Sequence, residues 1–464
     1  MTVDSLLNRA FDKLYKPLVV VAVILLAAQL ARRPSPFLLL LFVAGLGGLL
    51  LLRRPELGLV GVLVSALIVP FSIATGTYTS LHAAVLLIPL LVAVWLLDMV
   101  RRRDVRLVPS PTNAPLIIFC LVAILAFVAG NLPWNYFAST APMPAQLGGL
   151  AVFLLSAAAF LLAGNQITDL RWLERLTWLF IVLGGLYVAG RLLPPLGAVV
   201  FRFYQYGATG SLFWVWLVAL AGGQALFNRS LGQRWRAALM LLVIVTLAIG
   251  WQNRGWASGW LPEAVALLAL LWLYSPRVGL AATCLGAGYV FFIRPELPPD
   301  LVAGDQYSIF TRRVAWQIIL GQVLPNNPLL GLGPANYYHY TPLYPILGWY
   351  VRFNSHNQYV DIIAQTGLLG IAAFVWLMAA IARLGWHLRQ EAAEGFPRAY
   401  VCACLAGLAG SLAAGMLADW FLPFVYNIGF AGFRASMLGW MWLGGMVAVR
   451  KMAHRGNTFS SSEH

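Results

Sequence analysis

The chain reads as an all-α, polytopic transmembrane helical bundle of about 12–14 spans, and three observations predict this. First, 61% of its 464 residues are hydrophobic and only 10% are charged, with a mean hydropathy of +0.78; a soluble domain has no use for so much apolar surface. Second, apolar stretches of about 17–25 residues, long enough to cross a bilayer as a helix, recur from end to end. Third, these stretches lack the two-residue alternation that marks membrane-spanning strands.

In chain order, Thr2 to Lys16 reads as an amphipathic surface helix with Leu6, Leu7, Ala10, Phe11 and Leu14 on one side. Spans are expected at 17–31, 36–52, 57–73, 79–99, 114–130, 145–164, 172–193, 210–227, 236–252, 257–275, 277–293, 358–382, 398–420 and 430–449. The first two are short and suit a re-entrant pair equally well. No cleavable signal and no internal repeat is evident, so residues 1–464 read as one integral membrane domain. The polar tail from His454 to His464 is expected to be disordered.

The interval 294–357 is the exception to this rhythm, being too polar to cross a bilayer. It is expected to be a large, partly helical loop that closes over a polar site and re-enters the membrane near Tyr359. Within it, the prolines and glycines of PLLGLGP (328–334) read as a turn between loop helices. The segment lacks the following Lys and Ser/Thr of a nucleotide-binding loop.

The net charge of +15 does not point to nucleic acid, because most of the 31 basic residues sit in short loops on one set of helix ends. The positive-inside rule places those ends, and both termini, in the cytoplasm, and the 294–357 loop outside. The arginines that break this bias carry the information. Arg191, Arg202, Arg254, Arg312 and Arg313 bring guanidiniums from four separate elements to the outer face, where few acids are available. Each taken singly is explained equally well by snorkelling to lipid headgroups. As a group they suit an anionic ligand, since guanidinium forks match phosphate oxygens.

His356 is one of six histidines and stands at the outer rim, beside a polar turn and a span start. A neutral imidazole there can accept a proton from a hydroxyl. Beside phosphate-binding cations, such a base suits transfer from a lipid diphosphate, with guanidiniums stabilising the leaving group and no metal or other cofactor required. Asn357 can hold substrate or fix the turn. Asp361 reads first as an acid at a helix start, and Glu263 as an arginine partner or a substrate contact. No cluster has metal-ligand spacing. The four cysteines, Cys120, Cys284, Cys402 and Cys404, lie in apolar runs and read as buried structural thiols. Trp134, Trp214, Trp349, Tyr350 and Trp420 read as interfacial anchors.

These residues resemble the O-antigen ligase and O-antigen polymerase superfamily of polytopic glycosyltransferases. The likeness is most specific over 305–372: Arg312 four residues before Trp316, PLLGLG at 328–333, His356-Asn357, and GLLG at 367–370. A weaker match covers Arg202 and the Asn-Arg-Gly turn at Arg254, where many relatives have Ser-Arg-Gly, so Asn253 is a departure. The resemblance implies a helical bundle with a large periplasmic loop in a bacterial inner membrane. It implies transfer of a glycan, with inversion, from an undecaprenyl-diphosphate carrier to an acceptor hydroxyl on lipid A-core or on a growing polysaccharide. His356 would then be the base and Arg202, Arg254 and Arg312 would hold the diphosphate. Arg191 is a further candidate without a motif, and Arg313 points away from Arg312 on a helix. The competing expectation is a transporter of a small anion, because some relatives are described as inorganic-carbon transporters; it requires a polar intramembrane path and no His356.

Overall fold

Apolar runs in lipid satisfy their backbone groups only by closing helical hydrogen bonds internally, and every expected span from the third onward is a helix. The computed structural model describes residues 53–74, 80–204, 210–252, 256–293 and 306–460, with Val21, Gly47, Leu51 and Ala208. The surface helix at Thr2–Lys16 and the spans at 17–31 and 36–52 therefore lie outside the described residues, apart from those single positions.

The helices run α1 Glu56–Leu67, α2 Ala83–Arg102, α3 Asn113–Ala129, α4 Met143–Gln166, α5 Leu170–Leu192, α6 Pro194–Val200, α7 Ser211–Phe227, α8 Gln233–Gln252, α9 Leu261–Tyr274 and α10 Pro276–Gly288. After the loop helices α11 Gln306–Ile318 and α12 Tyr337–Tyr340 come α13 Gln358–Glu391, α14 Phe396–Leu417 and α15 Gly429–Ser460. Helices α4, α6, α9, α10 and α14 carry a proline in the first turn, where a missing N–H costs nothing. A short antiparallel pair, β1 Ser72–Ala74 and β2 Ser80–His82, joins α1 to α2 with Ser72 opposite His82. Among the described residues, six helices, α2, α4, α5, α8, α13 and α14, are long and apolar enough to cross a membrane. Helices α1, α3, α7 and α9 are shorter but apolar.

Helix α7 forms the axis of the bundle and is buried along nearly its whole length. Close approach of small residues makes this possible, since helices in lipid gain from backbone contact rather than from leaving water. A Cβ on Gly223 would stand 2.6 Å from Ala403 of α14, and one on Gly439 2.6 Å from the Trp216 indole nitrogen. The core rings pack in defined pairs, including Phe421 stacked on Trp440 at 4.4 Å.

Several helix ends meet at one end of the bundle. The C-terminus of α3 reaches the loop through Gly130, whose carbonyl accepts from Asn336. The start of α4 joins it through Ala141 N–H to Asn336 Oδ1. Near the C-terminus of α5, Tyr187 packs 5.7 Å from Phe213 at the start of α7, and Gly210 just before it lies against Trp420. Trp256, ahead of α9, packs on Trp420 as well, at 6.0 Å.

Three local expectations change. Helix α15 continues to Ser460, through most of the tail expected to be disordered, because extending a helix already nucleated costs far less than starting one. Cys284 is exposed on α10, whereas Cys402 and Cys404 are buried. Trp214 is a core residue at 7% exposure, packed on Tyr187 and Phe213, while Trp349 and Tyr350 stay exposed. Arg434, near the start of α15, is buried and closes the end of α1: its Nη1 donates to Ser65 O (3.1 Å) and Val69 O (3.2 Å).

Candidate functional site

The pairing of Arg312 with Trp316 follows from helix geometry. Four residues apart on α11, both side chains lie on one face. Arg312 Nη1 donates to the carbonyl of Leu417 (3.0 Å), the last residue of α14, satisfying one of the carbonyls a helix end leaves open. Trp316 Nε1 donates to Ser355 O (2.7 Å), the residue before His356. One helix face thus fixes both the end of α14 and the segment that delivers the histidine.

The two glycine motifs form one structural unit. Gly367 is non-helical (φ 67°, ψ −166°) and interrupts α13 after its first turns. The segment 328–333 crosses this interruption: Leu332 N–H and Gly333 N–H donate to Ala364 O and Gln365 O (both 3.0 Å). In return, Leu368 N–H and Leu369 N–H donate to Pro328 O (2.9 Å) and Leu329 O (3.1 Å). Gly331, at φ +67°, leaves no room for a side chain, since a Cβ would stand 2.6 Å from Gly367 N. PLLGLGP is therefore more than a turn between loop helices: it stitches the loop to the broken span.

Above that break, Asn357 caps α13, its Oδ1 accepting from Tyr359 N–H (3.0 Å) and Val360 N–H (3.3 Å) while its Nδ2 donates to Met416 O. Asp361 is 1% exposed and does more than start a helix: Oδ1 accepts from the Tyr337 hydroxyl and from Ser355 Oγ (2.7 Å). It fastens the loop helix α12 and the segment before His356 to α13.

His356 sits at the joint with a left-handed backbone (φ 48°), half-buried, its N–H accepted by Asn354 Oδ1 (3.2 Å). Burial, and after it the Arg312 guanidinium, brings its pKa down to about 4. The ring is therefore neutral at ordinary pH. Its Nδ1 faces Asn427 Nδ2 (3.3 Å), and that same amide nitrogen also donates to Asp419 Oδ1. Asp419 is 0% exposed, and its Oδ2 accepts from Phe424 N–H at 2.6 Å. Gln358 pins the same 419–428 loop, its Oε1 accepting from Phe421 N–H (2.9 Å) and Leu422 N–H (2.8 Å).

The chain matches no protein-family model and no curated protein.

Of the arginines singled out, Arg312 is near enough to act electrostatically on His356. Arg191, at the end of α5, and Arg202, just after α6, are exposed on the same end of the bundle, as is Arg313 on α11. No contact joins these three to His356 among the described residues. Arg254 lies outside the described residues, and Trp256, two positions on, packs on Trp420 beside Asp419. Glu263 sits in the first turn of α9, fully buried. Its carboxylate has no hydrogen-bond partner among the described residues. No group of three or more His, Cys, Asp or Glu among the described residues is placed to hold a metal ion. The participants that sequence reasoning misses are Asn427, Tyr337 and Ser355. A lone Asn in PFVYNIGF gives no signal of its own, and Asp419 stands out only as an acid on the outer face.

Proposed function

We propose that the chain is an inverting glycosyltransferase of the O-antigen ligase or polymerase type, working with arginines rather than a metal. It would lie in a bacterial inner membrane with both termini cytoplasmic and the His356 end facing the periplasm. The donor is an undecaprenyl-diphosphate-linked glycan, and the acceptor is a hydroxyl of lipid A-core or of another repeat unit. His356 takes the proton of that hydroxyl as its oxygen attacks the anomeric carbon from the face opposite the diphosphate. The bond from sugar to diphosphate breaks, and its electron pair leaves on the diphosphate oxygen. Arg312, with Arg191, Arg202 and Arg254, stabilises the charge that develops there.

The observation that carries this reading is a neutral, half-buried His356 beside Arg312, at the bundle end that also bears Arg191 and Arg202. The test is His356→Ala in purified protein given a lipid-diphosphate glycan. Transfer is expected to fall by about 10²–10⁴-fold, the usual worth of a general base, while helicity is retained. Undiminished product formation would remove His356 from the chemistry. Offering lipid A-core and a second repeat unit side by side separates ligase from polymerase.

A further inference from the structure

The hydrogen bonds around His356 raise a question of proton placement. An ionised carboxylate only accepts, so Asp419 must face the NH₂ end of Asn427, and the same nitrogen then donates to His356 Nδ1. A neutral imidazole that accepts at Nδ1 carries its proton on Nε2. Nε2, which has no partner among the described residues, is then a donor and cannot receive a hydroxyl proton.

We propose that Asn427 and Asp419 are positioning residues that switch the tautomer of His356, making Nε2 a base only when Asp419 is protonated. Asp419 takes one proton from solvent. The Asn427 amide then turns over, so that its Oδ1 accepts from Asp419 O–H on one side and from His356 Nδ1–H on the other. The ring proton moves from Nε2 to Nδ1 through solvent, and the Nε2 lone pair is freed. No other bond is made or broken.

The surroundings suit such a change. Burial pushes the Asp419 carboxyl up, to about 6, against the pull of the Phe424 N–H and Asn427. Asp361 on α13 is a second buried carboxyl, near enough to feel the charge of Asp419, and the Tyr337 hydroxyl on α12 lies near both. Arg312 on α11 is the cation facing the imidazole.

This inference rests on the reading of His356 as the base, and its tests are chosen to part the two. In protein labelled with ¹⁵N-histidine, the His356 signals are assigned by their loss in His356→Ala. They are expected to report Nε2–H above pH ~7 and to shift toward Nδ1–H as pH falls through about 6. Signals showing Nδ1–H throughout, or a tautomer indifferent to pH, overturn the proposal. Transfer is expected to fall about tenfold per pH unit on the alkaline side, as for any single ionisation. In Asp419→Asn, the amide oxygen can still accept from Phe424 N–H while its NH₂ donates to Asn427 Oδ1, holding Nδ1–H at every pH. Its alkaline limb should vanish, leaving it on the order of a hundredfold above the wild type at pH ~8. An unchanged limb overturns the proposal. If Asp419→Asn fails to fold, Asn427→Leu and the wild-type titration decide, because Asn427→Leu should also lose the alkaline limb. A ring that switches while transfer keeps a flat pH profile overturns the base reading and leaves the tautomer assignment standing.

Discussion

Gly367→Ala isolates the junction between the loop and the broken span. At φ 67° and ψ −166° the residue occupies backbone space that is essentially reserved for glycine. A Cβ there would press into the Leu329 carbonyl and stand 2.5 Å from Gly331 N, so the crossing segment must withdraw. Withdrawal breaks the hydrogen bonds from Leu368 N–H and Leu369 N–H to Pro328 O and Leu329 O. Backbone strain of about 1–3 kcal/mol and two hydrogen bonds at about 1 kcal/mol each give a loss of about 3–5 kcal/mol. Gly348→Ala is the control: its φ is +87°, but no atom lies within 4 Å of the added carbon. That change should cost only about 1–2 kcal/mol of left-handed strain. Unfolding of both variants by SDS titration in detergent micelles measures the difference. Equal losses would show that the glycine is needed for conformation alone and that the crossing segment is not closely packed.

Two further outcomes follow from buried groups elsewhere. Arg434→Leu leaves the carbonyls at the end of α1 without a donor inside the protein, and the same titration should show a loss of about 2–4 kcal/mol; a change below ~1 kcal/mol would mean that water or the chain reclaims them. His356 and His339 both have pKa values lowered to about 4, in each case first by burial and then by an arginine, Arg312 and Arg352 respectively. The unfolded chain, with a histidine pKa near ~6.5, binds more protons than the folded one between these values. Stability should therefore fall as pH drops from about 6.5 toward 4, and the slope should shrink in His339→Asn and His356→Asn; an unaltered slope in both would contradict the lowered values.

What could be read from the sequence was whatever is encoded locally. Long apolar runs announce their helices, and the polarity of 294–357 marks the loop. The spacing of Arg312 and Trp316 is visible because both lie on one helix face. Contacts across distance were not visible. Asn427 is 71 positions from His356, and nothing in its neighbours distinguishes it from a turn residue. Nothing in the sequence around Arg434 shows that the end of α1, more than 360 positions earlier, claims its guanidinium. Trp214 is a core residue rather than an interfacial anchor for a related reason: interfacial position depends on which neighbours cover a residue, and hydropathy does not name them.

The interruption at Gly367 also has a mechanical meaning. Segment 328–333 bonds to both sides of it: Leu332 and Gly333 donate to Ala364 and Gln365 before the break, and Leu368 and Leu369 beyond it donate to Pro328 and Leu329. The crossing segment therefore acts as a splint, like a plate screwed to both halves of a broken bone. What the helix loses in continuity at the glycine the loop restores, so the platform under His356 is tied to the lower half of the span.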